Sequence, residues 1–273
     1  MEDKTKKVSN IRLYFHIMGM SLRSRMSFRL DFIVMLISVF LRELASLALL
    51  YVVTDRFDTL DGWNKWEIAL LYCMVTFCHR MFCSFSGGVM EIFDMVKSGE
   101  MDTYMITPRS PLFLINARNT MIWRIYYNIP ILIVLIISAV QSGVVFTFQN
   151  SILLLVFTVS SVVIMFAMYL IIATISIFVI NVETIQNVLS DIITQYMGYP
   201  ISIYGKVATF ILTFIIPLGF VAYYPSIQLL SITQSTINGI NYGIITPIVA
   251  AITSTFALVF WKYGLKRYNS TGT

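Results

Sequence analysis

Residues 152–180 read ILLLVFTVSSVVIMFAMYLIIATISIFVI, an apolar run without one charged side chain. A helix needs about 20 such residues to cross a hydrocarbon core about 30 Å thick. This run is long enough to tilt or to continue past the bilayer surface. The rest of the chain repeats the theme. Of 273 residues, 58% are hydrophobic and 12% charged, against about 25% charged in an ordinary soluble domain. Mean hydropathy is +0.79. The longest polar segments run to only about 30 residues, too short for a separate soluble domain.

Working outward from 152–180, apolar runs near span length recur. They predict an all-α integral membrane protein with six transmembrane helices over 32–54, 66–88, 120–140, 152–180, 207–224 and 243–262. The whole of 1–273 reads as one transmembrane domain. Pro217 falls inside the fifth run and is expected to kink or break it.

Lysine and arginine bias orients the spans. Fifteen cations fall in 1–29, 90–124, 181–206 and the C-terminal tail, whereas the alternate loops hold only Arg56 and Lys65. Both termini are therefore expected in the cytoplasm. The pI near 9.1 follows from this asymmetry and does not signal nucleic-acid binding. MEDKTKKVSNIRLYFHIMGMSLRSR (1–25) has no apolar core and no small-residue cleavage site, so it does not read as a signal peptide. Within 1–31, Ile11, Phe15, Met18, Leu22 and Met26 recur at helical spacing beside Arg12, Arg23 and Arg25. They predict an interfacial helix in contact with lipid headgroups. A second amphipathic stretch sets Ile185, Val188, Leu189, Ile192, Ile193 and Tyr196 against Glu183, Gln186, Asn187, Ser190, Asp191 and Gln195. It is expected at the cytoplasmic surface or packed on other spans.

Catalytic and cofactor chemistry finds little footing. GYPISIYGKV (198–207) places six residues between its glycines and follows Lys206 with Val207. A phosphate loop needs four residues there, then Lys and a hydroxyl. No nucleotide site, and no other cofactor, is expected. Cys73, Cys78, His79 and Cys83 cluster in the second span, but a 100° advance per residue turns Cys73 and Cys78 away from His79 and Cys83. Buried thiols are the reading, not a metal site. The only two histidines, His16 and His79, stand in unrelated contexts, and no nucleophile–base set emerges. Gly239 and Gly243 have GxxxG spacing, which suits either a loop turn or a helix-packing face.

Charges at membrane depth are costly and usually paired or cavity-facing. Arg42 and Glu43 in the first span and Arg80 in the second are such charges. As neighbours, Arg42 and Glu43 project about 100° apart and are not expected simply to cancel. Glu43 pairing with Arg80 would join the two spans. The other reading places these charges on a substrate path or a subunit interface.

Between the second and third spans lies MEIFDMVKSGEMDTYMITPRSPLF (90–113). Val89, Ile92, Phe93 and Val96 make a short apolar stripe, Gly99 is placed to end that helix, and Pro108 and Pro111 stiffen the exit. The expectation for 90–112 is a rigid cytoplasmic knuckle with exposed carboxylates at Glu91, Asp94, Glu100 and Asp102, suited to docking a soluble partner.

SGEMDTYMITPRSPLF (98–113) resembles the signature of a bacterial branch of ABC-2 type transporter permeases, in which a Gly-Glu-hydrophobic-Asp unit precedes a Pro-x-x-Pro-like exit. QYMGYPISIYGKVATFILTFIIPLGFVAYYPS (195–226) is similar to that branch's fifth-span region, and WKYGLKRYNSTGT (261–273) to its C-terminal ending, with Gly264, Tyr268, Ser270 and Gly272. RLDF (29–32) fits as well. The resemblance covers essentially the whole chain. It implies the non-catalytic permease half of an exporter, paired with a second permease chain (the same or a sister) in the bacterial plasma membrane. ATP hydrolysis would belong to separate cytoplasmic ATPase subunits. The segment around Glu91–Ile106 would be the coupling helix, with Glu91, Asp94, Glu100, Asp102, Tyr104 and Arg109 at the ATPase contact. Cargo in such systems ranges over drugs, peptides, lipids and glycans. An ATP-independent carrier or channel lined by Arg42, Glu43 and Arg80, or an integral-membrane lipid enzyme, are the competing readings.

Overall fold

A computed structural model describes residues 13, 14, 16, 17, 19, 20, 29–55, 59–119, 122–144, 146–179, 183–230, 236, 237 and 240–268. The expected interfacial stripe of Ile11, Phe15, Met18, Leu22 and Met26 lies outside them, as do Gly239, Ser270 and Gly272.

Helix α1 (Arg29–Asp55) is 27 residues long, about 40 Å at the helical rise. The chain then reverses at Asp61 and Gly62, whose φ angles are 53° and 82°. Leu60 and Trp63 exchange backbone hydrogen bonds across that turn. α2 (Lys65–Ser86) starts where it does because Asn64 and Glu67 form a capping box. The Asn64 side chain accepts from the amides of Trp66 and Glu67, and the Glu67 carboxylate accepts from the Asn64 amide at 2.8 Å. α2 runs on through a 3-10 turn (Gly87–Glu91) into α3 (Ile92–Ser98). Gly99, at φ 75°, closes α3 in the left-handed region that glycine enters without penalty.

α4 (Met101–Met105) and α5 (Pro111–Asn119) follow, then a 3-10 turn (Ile122–Tyr127), α6 (Asn128–Gln141) and α7 (Phe148–Ile175). Thr147 caps α7 by accepting from the amide of Asn150 at 3.2 Å. Phe82 of α2 and Tyr169 of α7 stack with centroids 4.9 Å apart, both fully buried. α11 (Tyr242–Arg267) lies against α7. Its Gly264 comes so close that a Cβ there would sit 2.7 Å from Thr174 Cγ2. Among the described residues, four helical stretches are long and apolar enough to cross a membrane: Lys65–Ser98, Arg124–Gln141, Phe148–Ile175 and Gly243–Arg267.

The fifth run departs from a single helix over 207–224. Ile201–Ile215 and Leu218–Leu230 meet at a 79° bend, with Pro217 at the break, where it lacks an amide to continue the ladder. The arms stay in contact near the bend: Thr213 and Tyr224 share a 2.8 Å hydroxyl contact, and Gly219 sits against Ile201 and Leu212. The first arm contains α9 (Gly205–Phe210) and the second ends in α10 (Tyr223–Leu230). Gly243 of α11 packs directly on Tyr224 and Gln228 of α10, so it serves helix packing.

Residues 183–204 take the second of the two placements left open for the amphipathic stretch, packed on other spans. They comprise α8 (Glu183–Asp191), a π-helical turn (Ile192–Tyr196) and a 3-10 turn (Ile201–Tyr204). Gln186 Nε2 donates to the carbonyl of Met90 at 3.0 Å. Further on, Thr194 and Gln195 share a cavity with His79 and Arg80. A Cβ on Gly198 would come within 2.8 Å of the Tyr72 ring. Ser202 faces the Tyr223 hydroxyl at 3.4 Å, and Tyr223 stacks on Trp63 at 5.7 Å. This polar stretch therefore climbs antiparallel beside α2, from Met90 almost to Trp63. Lys206 follows directly on this stretch, at its Trp63 end and away from Met90.

Candidate functional site

Two groups of predicted residues are held in very different ways. The first is the knuckle. Its apolar stripe faces inward: Ile92, Phe93, Met95, Val96, Met101 and Tyr104 are all buried. The turn between α3 and α4 is pinned by backbone bonds from Gly99 N to Val96 O and from Asp102 N to Gly99 O. Thr107 Oγ1 donates to the Tyr104 carbonyl at 2.7 Å and contacts the Arg109 carbonyl at 3.3 Å. The result is a rigid corner carried on the end of α2.

Outward from that corner point Asp94, Lys97, Glu100, Thr103, Met105 and Ile106, with Ile106 86% exposed. Glu91, Asp102 and Arg109 are half-buried. Tyr104 is buried, with the Arg118 guanidinium 5.6 Å from its ring centroid. Asp102 accepts a 2.8 Å hydrogen bond from the phenol of Tyr268, 166 residues away. Burial, then the bond to and the charge of Asp102, push the Tyr268 hydroxyl up to about 12. Sequence reasoning does not single out Ile106 as exposed, and it names Tyr268 only within the C-terminal ending, without its tether to Asp102. A bare isoleucine before Thr-Pro was the available signal for the first, and no local signal exists for the second.

The second group is the membrane-depth charges. Glu43 and Arg80 are 6% and 8% exposed. Arg80 donates through Nη2 to Glu43 Oε1 and through Nη1 to the carbonyl of Tyr127. Tyr72 donates to the other carboxylate oxygen at 3.2 Å. Arg42 turns outward, its side chain 69% exposed, yet its Nε stays 3.7 Å from Glu43 Oε1. One carboxylate thus serves two guanidiniums and a phenol, drawing α1, α2 and the start of α6 together. His79 Nε2 lies 3.8 Å from Cys83 Sγ. No group of three metal-ligating side chains occurs among the described residues.

No curated protein and no solved structure matches the chain. A family model described as ABC-2 family transporter protein matches residues 40–272. That span takes in the charge cluster, the knuckle and Tyr268. The chain belongs to the ABC-2 family of transporter proteins, as a multi-pass membrane permease of an ABC transporter.

Proposed function

We propose that this chain is the non-catalytic membrane half of an ATP-driven exporter, seated on separate cytoplasmic ATPase subunits through its 90–112 knuckle. The observation that carries the reading is the division of labour within that knuckle. Its apolar side chains are spent on its own rigidity, while Asp94, Glu100, Met105 and Ile106 face outward. A mixed acidic and apolar face on a stiff lever suits a soluble partner's groove. A partner that moves when it binds ATP would bias a two-state membrane domain through such a lever.

In this reading the chain crosses a bacterial plasma membrane six times, with both termini in the cytoplasm. α1, Lys65–Ser98, Arg124–Gln141, α7 and α11 are five crossings, and the climb over 183–204 is the remaining one. Residues 205–230 then enter and leave from the outer face as a re-entrant segment bent by 79° at Pro217. A second permease chain completes the path. Asp102 and Tyr104 act inside the knuckle, supporting the face without forming it.

Mild-detergent purification from native membranes, with an ATP hydrolysis assay on the eluate, tests the reading. A soluble ATPase should accompany the wild-type chain and fall at least fivefold in yield with Asp94→Lys/Glu100→Lys or with Ile106→Asp. Undiminished ATPase recovery and transport in both variants would refute the docking face. Transport by the purified chain without any ATPase would instead establish a carrier.

A further inference from the structure

We propose that the face of α11 running from Phe256 to Arg267 seats an acidic phospholipid, its acyl chain on a ladder of aromatic rings and its phosphate at the cations that end the helix. At 100° per residue, Phe256, Phe260, Tyr263 and Arg267 fall on one stripe of α11. Phe178, just beyond the end of α7, stands over that stripe. Its ring stacks on those of Phe260 and Tyr263, with centroids 6.3 and 6.1 Å apart. Phe256 stacks on Phe260 at 6.1 Å. The guanidinium of Arg267 completes the series, 5.8 Å from the Tyr263 centroid. Phe178, Phe256 and Tyr263 are exposed, so the outer side of the ladder is open. From Phe256 to Arg267 the stripe is about 16 Å long at the helical rise, and one leaflet of the hydrocarbon core is about 15 Å deep.

The charged end is fixed from behind. Gly264 packs α11 on Thr174, and Tyr268 is bonded to Asp102 at 2.8 Å. Lys262, Lys266 and Arg267 are exposed on the last two turns, and none of them forms an ion pair among the described residues. α11 is long and apolar enough to span, so these cations stand at headgroup level, with Tyr263 at the depth that aromatic belts occupy. Each cation near an anionic lipid surface gains about fivefold in affinity, and a guanidinium fork fits the paired oxygens of a phosphodiester. A second copy of the chain is the other candidate for an open span face. Two copies meeting here about a two-fold axis along the membrane normal would set their cations against one another at one depth. Charge therefore selects an acidic lipid over a copy. The site uses no part of the 90–112 face and stands whether or not the chain exports.

The test uses the purified full chain in phosphatidylcholine nanodiscs doped with phosphatidylglycerol that carries a photoreactive diazirine midway along one acyl chain. Labelling should saturate and map to residues 252–263 and to Phe178. Unlabelled phosphatidylglycerol should displace the probe, while added phosphatidylcholine should not. Arg267→Gln should raise the concentration for half-labelling about fivefold, and Lys262→Gln/Lys266→Gln/Arg267→Gln about a hundredfold. The single variant, at an exposed side chain, serves if the triple variant does not insert. Equal labelling by a phosphatidylcholine probe, or unchanged half-labelling in the variants, would overturn the proposal. Glycerol phosphate displacing the probe as well as the lipid does would make this a site for soluble phosphate and also overturn it. Cross-linking of two copies through α11, with no lipid label there, would give the face to a second copy instead.

Discussion

The phenol of Tyr268 donates a 2.8 Å hydrogen bond to the carboxylate of Asp102, tying the end of α11 to the corner between α3 and α4. Because α11 lies along α7 through the close approach at Gly264, the bond links the knuckle to the opposite wall of the bundle. A load on the knuckle is thereby shared between α2 and α11. Tyr268→Phe removes the bond and keeps the ring. With a carboxylate as acceptor and a half-buried setting, the loss is about 0.5–1.5 kcal/mol. Amide exchange over 99–107 should accelerate several-fold in the variant, and partner ATPase stimulation should fall while membrane insertion is unchanged. Unaltered exchange in that segment would show that the tail does not hold the knuckle.

The same bond sets a pH window. Burial first, then Asp102, raise the Tyr268 hydroxyl to about 12 from its ordinary 10. With the folded value above the unfolded one, the unfolded tail sheds its proton first as pH rises. The stabilisation is complete below pH 10 and disappears as pH climbs through about 12. A difference titration at the tyrosinate absorbance, wild type minus Tyr268→Phe, should place one tyrosine near 12. A midpoint near 10 would show that the tail is undocked.

What the sequence discloses here depends on range. Apolar run length is a local property, so α7, α11 and the long α2 stand out in the primary structure, and Gly99 ends α3 where the left-handed cap belongs. For 183–204 the sequence leaves two placements open, surface or packed on other spans, because Gln186, Asn187, Asp191 and Gln195 give it the polarity of a surface helix. Its compensation is supplied from elsewhere: Gln186 finds the Met90 carbonyl, and Thr194 and Gln195 find the charged cavity. The tether escapes for a related reason, since nothing near Tyr268 announces Asp102. The stripe of Ile92, Phe93 and Val96 is legible as a stripe, but sequence cannot say that it faces its own chain and leaves Ile106 outside.

Gly264 tests the packing of α11. Its missing Cβ leaves room for Thr174 Cγ2 at 2.7 Å and Ile177 Cδ1 at 3.2 Å, so a larger side chain must push α11 from α7. Gly264→Val should cost about 1–3 kcal/mol by overpacking and shift Tyr268 away from Asp102. Thermal unfolding in detergent measures the first effect and the tyrosine titration the second. A variant with wild-type stability and the high-pH tyrosine retained would mean that the contact relaxes without moving the helix.

Glu43 and Arg80 separate structure from transport. Both are buried, and Arg80 also serves the Tyr127 carbonyl, so removing one partner strands a charge. Glu43→Gln or Arg80→Leu alone should destabilise by about 3–5 kcal/mol, whereas replacing both by apolar residues of similar volume costs far less. A double-mutant cycle with Glu43→Leu and Arg80→Leu should therefore give a large favourable coupling, read from thermal midpoints. The double variant should fold yet lose transport, because the cavity loses the carboxylate that Arg42 and Tyr72 contact. Additive destabilisation would reduce the pair to two independent buried groups. A folded double variant that transports normally would remove the charge cluster from the transport path altogether.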